Sequence, residues 1–167
     1  MILGMSTAAF TTLHVIISLI GIGSGIVVVL GMCQGLRLPR WTALFLVTTV
    51  LTSATGFLFH SAAFGPPHVI GLISLVILAV AIVALYVKHL AGAARWIYIV
   101  SAVLALWFNA FVGVVQAFQK LPALHALAPT QKEPPFFVAQ LLVLALFVVI
   151  TAIALRRFPA RTIRSVV

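Results

Sequence analysis

The chain has 167 residues, of which 64% are hydrophobic and 7% are charged, and its formal net charge at pH 7 is +9. A soluble domain of this length has too little interior to bury so much apolar surface, so we expect a membrane protein. The basic residues flank apolar segments rather than forming one compact face, so we expect no nucleic-acid partner. The single cysteine, Cys33, excludes an internal disulfide and a multi-cysteine metal site.

Five apolar segments follow one another along the chain. Each has about 20 residues, enough to cross a hydrocarbon core of about 30 Å as a helix. Strands are excluded as lipid-crossing elements, because five open strands would leave backbone groups unpaired in lipid. The predicted helices cover residues 7–32, 41–62, 67–88, 96–118 and 136–156. The predicted fold is therefore all-α, a five-helix integral membrane bundle that forms a single transmembrane domain over residues 1–167.

Two further segments lie outside these helices. Residues 119–135 form the longest connection, which holds four prolines and the only acidic residue, Glu133. A short interfacial helix is expected there at residues 121–128. Residues 157–167 form a basic tail, which we expect to contact anionic head groups of the bilayer.

The basic residues are distributed unequally between the two sets of connections. One side of the predicted bundle holds only Lys120 and Lys132. The other side holds eight basic residues: Arg37, Arg40, Lys88, Arg95, Arg156, Arg157, Arg161 and Arg164. Excess Lys and Arg in short loops marks the cytoplasmic side of a membrane protein. The pattern predicts an outside N-terminus and a cytoplasmic C-terminus.

Small and polar residues recur at helical spacing on three segments. The three faces are His14, Ser18, Gly21 and Gly25; Thr49, Ser53, Gly56 and His60; and Asn109, Gly113, Gln116 and Lys120. Small residues let membrane helices approach closely, so packing is the simplest interpretation of these faces. A histidine inside a span also needs a buried partner, and we expect His14 to bond to Ser18, Thr49 or Gln140.

The predicted topology brings polar side chains from all five helices to one layer near the outer surface. Neutral imidazoles without nearby carboxylates suit copper, zinc or haem iron. We expect His14 with His60 or His68 to bind a b-type haem or a metal in a redox role. Phe57 and Phe59 would suit a flat macrocycle. The candidate metal ligands are His14, His60 and His68, and the candidate cofactor-binding residues are these three with Gln116, Gln140 and Lys120.

Three other functions fit the same pattern. His60, Gln116 and Gln140 could hold a quinone or another lipid-soluble substrate. The polar faces could form a small-solute or ion pathway in a homo-oligomer, although no intramembrane carboxylate is present for proton coupling. The chain could also be a non-catalytic accessory or assembly subunit of a larger membrane complex. No hydrolytic or nucleotide-binding motif is present, so the sequence leaves open whether the protein is an enzyme.

Two resemblances extend this interpretation. The pair Leu13-His14 followed by Gly21, Gly23 and Gly25 resembles the first helix of cytochrome b561-like and copper-resistance D-type proteins. This resemblance covers about twenty residues and implies that His14 is a haem or copper ligand. The whole chain, with the stretches WTALFLVTTVLTSATGFLFH and VQAFQKLPALHALAPTQKEPPF, is similar to an uncharacterised family of small multi-pass bacterial proteins. That similarity implies location in the bacterial inner membrane.

Overall fold

The structure, a computed structural model, describes residues 1–59 and 65–159. The described residues form helices, with one isolated bridge between Ile2 and Met5 and no strand. The helices are α1 (Thr7–Cys33), α2 (Pro39–Gly56), α3 (Pro66–Ile82) with a terminal π-helical turn (Val83–Val87), α4 (Ala94–Lys120), α5 (Pro122–Leu127) and α6 (Pro134–Arg157).

Residue types at the helix ends account for several of these boundaries. The Ser6 hydroxyl accepts a hydrogen bond from the Ala9 N–H at 3.2 Å and caps α1. Four helices, α2, α3, α5 and α6, begin with proline, whose missing N–H is not needed in a first turn. The π-helical turn is followed by His89 and Leu90 at φ values of 49° and 61°.

Within the described residues, four helices are long and apolar enough to cross a membrane, which makes the chain a multi-pass membrane protein. They are Thr7–Cys33, His68–Val87, Ala94–Lys120 and Pro134–Arg157. Helix α2 is not among them, because its 18 residues include five threonines and Arg40, which lower its mean hydropathy. The prediction for this segment was residues 41–62; the helix ends at Gly56, and residues 60–62 lie outside the described part.

Helix α4 occupies the middle of the bundle. It packs against α1, α3 and α6, while α2 packs between α1 and α3. The main apolar core includes Phe45, Tyr98, Ile99 and Leu106. Helix α6 is the outermost span, with 11% of its most apolar stretch buried against 39% for α1 and α4. Its apolar side chains therefore cover the bundle on one side and face lipid on the other.

Candidate functional site

His14 lies about two turns into α1, at the end of the bundle where α2 finishes. Its Nδ1 atom is 2.8 Å from the hydroxyl oxygen of Thr55 on α2. The imidazole is half-buried and its polar partner comes from a different helix. The hydroxyl of Ser18 does bond to residue 14, but only to its main-chain oxygen. The expected side-chain partners were Ser18, Thr49 or Gln140, and the structure gives Thr55 instead.

The hydrogen bonds of the Thr55 hydroxyl bear on which imidazole nitrogen of His14 carries the proton. Its oxygen is 2.6 Å from the main-chain oxygen of Leu51, to which it donates its single proton. In that arrangement Thr55 accepts from His14, which assigns the imidazole proton to Nδ1 and the free lone pair to Nε2. Among the described residues, Nε2 of His14 has no hydrogen-bond partner. This nitrogen is available as a ligand or a base.

One aromatic ring contacts the imidazole, and a second ring packs against the first. Phe59 stands edge-on to His14 with ring centroids 5.2 Å apart. Phe10 lies edge-on to Phe59 at 5.1 Å and is almost completely buried. The Lys120 ammonium at the end of α4 is close enough to act electrostatically on His14. The site is thus apolar on two sides, with one positive charge at its edge.

His68 is held differently. Its Nδ1 accepts a hydrogen bond of 3.1 Å from the Gly65 N–H, which closes the first turn of α3. The lone pair of Nδ1 is therefore used by the backbone, and Nε2 carries the proton of the neutral ring. Phe57 lies against this imidazole with centroids 5.7 Å apart. As a ligand His68 would have to give up this cap, whereas His14 would not lose its Thr55 bond.

The two candidate glutamines bond elsewhere. Gln116 is exposed and its Nε2 is 3.5 Å from Gln119 Oε1, one turn along α4. Gln140 donates its Nε2–H to the main-chain oxygen of Phe111 at 3.2 Å and so ties α6 to α4. The Oε1 atom of Gln140 is buried and has no hydrogen-bond partner among the described residues. Gln140 therefore keeps one free acceptor inside the bundle.

A second polar layer lies deeper, where α1, α2 and α4 meet. Asn109 donates from Nδ2 to the Thr49 hydroxyl at 3.3 Å. Gly21 on α1 closes this layer, because a Cβ added there would lie 3.3 Å from the hydroxyls of both Thr48 and Thr49. The three polar faces predicted from helical spacing therefore do contact one another at this level.

Below this layer the bundle is apolar and tightly packed. A Cβ added at Gly25 would lie 2.6 Å from Leu106 Cδ1 and 2.8 Å from Phe45 Cε2. Phe45 and Leu106 are both buried. The polar faces of α1, α2 and α4 thus meet an apolar plug one turn inside Gly21.

The described residues do not form a cluster of three or more His, Cys, Asp or Glu side chains that could hold a metal ion. His60, the expected second ligand, lies outside the described residues. His125 is exposed on the short helix α5, and His89 is exposed at the opposite end of the bundle. Within the described part of the chain, His14 is the one histidine with a buried partner from another helix and a free ring nitrogen.

Sequence reasoning missed Thr55 and Phe59 as neighbours of His14. Both lie more than 40 residues from His14 in the chain. The spacing of polar residues within one segment does not predict which helices are neighbours in the bundle. Thr55 does lie six residues beyond Thr49 on the segment whose polar face was identified, and that is the one available signal. Comparison with protein-family models gave no match, and neither curated proteins nor solved structures contain a significant match to this chain.

Proposed function

We propose that this chain is a bacterial inner-membrane protein that binds a redox cofactor in the outer half of its bundle, with His14 as a ligand. The observation that carries the proposal is the hydrogen bond between His14 and Thr55, whose geometry favours a proton on Nδ1, while Nε2 has no partner among the described residues. Histidines that bind metals usually donate their other ring N–H to a neighbouring oxygen in this way. The arrangement holds the imidazole in one orientation before any ligand binds.

The donor set favours a b-type haem over a copper or zinc site. Haem iron needs one or two axial imidazoles, whereas copper and zinc need three or four ligands. The described residues supply His14, and His60 remains the proposed second ligand, with His68 as the alternative. Phe59 contacts His14 and Phe10 packs on Phe59, while Phe57 contacts the alternative ligand His68. Lys120 would supply a positive charge for a propionate. A bound haem would supply one-electron transfer; the chain holds the imidazole and excludes water.

The apolar plug formed by Phe45 and Leu106 favours a closed binding site over a continuous pathway for solutes through the bundle. A solute that entered the polar layer of Thr49 and Asn109 would meet Phe45 and Leu106 packed on Gly25. Unpaired ions or polar groups are costly in such surroundings. A pathway through a single chain would therefore need these side chains to separate.

We also propose that the bundle crosses the membrane five times, with the N-terminus outside and the C-terminus in the cytoplasm. Helix α2 packs along α1 and α3, which are both long enough to cross. Its low hydropathy is compatible with a crossing, because Thr48 and Thr49 are buried against its neighbours rather than exposed to lipid. The excess of basic residues at the C-terminal ends of α1 and α6 supports the orientation.

The test is a reduced-minus-oxidised absorbance spectrum of protein purified in mild detergent, with iron, copper and zinc measured in the same sample. We expect near-stoichiometric haem or metal in the wild type. His14→Ala should lose most of it while keeping its helical circular dichroism. His125→Ala, which removes an exposed histidine from α5, is the matched control and should keep the wild-type content.

A colourless, metal-free and well-folded wild type would overturn the proposal. An accessory or assembly role would then be the better interpretation. Equal loss from His14→Ala and His125→Ala would also count against a specific ligand, since only one of the two side chains belongs to the proposed site.

A further inference from the structure

A cavity of about 220 Å³ lies at the end of the bundle away from His14. Along α1, Met32 in its wall is 18 residues beyond His14, which is about 27 Å of helix. The cavity is enclosed by the end of α1, the start of α2, the π-helical turn, the start of α4 and Phe158 after α6. The site is therefore separate from the proposed cofactor site.

One wall of this cavity is polar. Tyr98 is 2% exposed and Thr42 is 6% exposed, and both residues line the cavity. Tyr86, on the π-helical turn, is half exposed at the edge of the cavity. Two tyrosines and a threonine thus line a space whose other lining is mostly apolar and includes Val28, Met32, Leu85 and Leu90.

Arg37 stands at the mouth. Its guanidinium lies 5.8 Å from the centre of the Phe158 ring, and one Nη2–H donates to the Pro159 main-chain oxygen at 3.1 Å. A guanidinium has five N–H donors, and among the described residues the other N–H groups of Arg37 have no partner. The side chain is held in place while most of its hydrogen-bonding capacity remains unused.

The surroundings carry positive charge without a neutralising carboxylate. Arg95 donates to the main-chain oxygens of Leu155 and Phe158 at 3.1 and 2.6 Å. Arg157 reaches the main-chain oxygen of Cys33 at 3.5 Å. The only acidic side chain, Glu133, is on the outer loop at the other end of the bundle. These arginines cap helix ends, and no acidic side chain at this end balances Arg37.

We propose that this cavity binds the phosphate-bearing head group of an anionic amphiphile. Arg37 would contact the phosphate, and the hydroxyls of Tyr98 and Thr42 would bond to the rest of the head group. The volume corresponds to about seven waters and is below the usual 300 Å³ of a drug-sized site, so it fits a head group but not a whole lipid. Exposed Trp41 and Trp96 lie at the same end and mark the head-group layer.

The test measures how much anionic lipid the protein retains. Wild-type protein is placed in nanodiscs of phosphatidylcholine with a minor fraction of phosphatidylglycerol. The protein is then released from the nanodiscs, and native mass spectrometry measures the mass of the lipid that stays bound to it. We expect one retained phosphatidylglycerol per chain. Arg37→Gln should lower the apparent affinity at least about tenfold, and Tyr98→Phe should lower it several-fold. Arg40→Gln removes the same charge from an exposed neighbour that does not line the cavity, and should have little effect.

The source of the phosphate is decided by competition. If millimolar inorganic phosphate or glycerol phosphate displaces phosphatidylglycerol, the site takes a soluble phosphate; if neither does, the lipid is the ligand. The proposal is overturned if phosphatidylglycerol is retained no better than phosphatidylcholine, or if Arg37→Gln and Arg40→Gln reduce retention equally. Arg37 is exposed and its guanidinium has two contacts among the described residues, with Pro159 and Phe158, so Arg37→Gln should lower the thermal unfolding temperature only slightly. If Tyr98→Phe does not fold, Arg37→Gln is the deciding variant.

Discussion

At the scale of single residues, the bond between His14 and Thr55 is the feature on which the proposed function depends. Thr55 connects two helices, and its hydrogen bond to the Leu51 oxygen favours the tautomer of His14 that carries its proton on Nδ1. A hydroxyl that bonds only within its own helix has neither effect. Thr151, whose hydroxyl donates to the Phe147 oxygen at 2.7 Å, is such a residue.

Thr55→Val therefore tests the bond directly. Valine keeps the shape but leaves the Nδ1–H of His14 without an acceptor, which should cost about 1–2 kcal/mol of stability. We expect a lower apparent Tm in detergent and about 10- to 100-fold weaker cofactor binding. Thr151→Val is the control and should change both by much less. Equal effects of the two substitutions would show that the bond to His14 has no special importance.

Glu133 sets the conformation of the loop between α5 and α6. Its carboxylate accepts hydrogen bonds from the Thr130 hydroxyl at 2.9 Å and from the N–H groups of Thr130 and Lys132 at 3.2 and 3.0 Å. Slight desolvation raises the pKa of the Glu133 carboxyl, but these hydrogen bonds outweigh it and lower the pKa below the ordinary 4.5. The contribution of the carboxylate to loop stability is thus complete above pH 4.5 and is lost as the pH falls through the lower folded value.

Glu133 can be observed without ambiguity because the chain has no other acidic side chain. Carbon-13 labelling of glutamate should give one side-chain carboxyl resonance, and we expect its titration midpoint below 4.5. Thr130→Val removes the hydroxyl donor and should move the midpoint upwards. A wild-type midpoint at or above 4.5 would contradict the hydrogen-bonded loop.

At the scale of helices, close packing of α1 on α2 and α4 depends on Gly25. The neighbouring atoms, Leu106 Cδ1 and Phe45 Cε2, are side-chain ends, but both residues are buried and have little room to move. Gly23, two residues earlier, has no atom within 4 Å of an added Cβ and is exposed. The two glycines therefore differ in packing while sharing a helix.

Gly25→Ala should lower stability by about 1–3 kcal/mol, since an extra methyl group forces buried side chains apart. Gly23→Ala should be nearly neutral or slightly stabilising, because alanine has the higher helix propensity. Thermal unfolding of both variants in the same detergent measures the difference. Similar values for the two would mean that α1 can shift away from α2 and α4 at no cost.

At the scale of the whole molecule, the number of crossings depends on α2. Cysteine labelling tests it in a Cys33→Ser background, with Gln34→Cys, Leu58→Cys, Ala91→Cys and Ala126→Cys as exposed positions. With five crossings and an outside N-terminus, a membrane-impermeant maleimide labels positions 58 and 126 in intact cells. Positions 34 and 91 should react only after permeabilisation. Labelling of 34 and 58 from the same side would show that α2 does not cross.

Much of the fold could be predicted because apolar length and helix-start residues are local properties. The prolines at the start of α3 and α6 and the short helix α5 follow from residues next to them in the chain. The sequence predicts a longer α2 than the structure has, because the apolar stretch through Phe57, Leu58 and Phe59 is typical of a membrane helix. In the structure those residues form a turn whose rings pack on His14 and His68.

A multi-pass helical membrane protein with polar faces on α1, α2 and α4 follows from composition and helical spacing, because both are properties of each segment alone. Which residues meet across helices follows only from the packing of the folded bundle. It paired His14 with Thr55, used His68 as a cap for α3, and set Phe45 and Leu106 as a plug on Gly25. It also formed the cavity of Tyr98, Thr42 and Arg37 from distant segments. These contacts depend on the order and rotation of the helices, which are set by packing between segments.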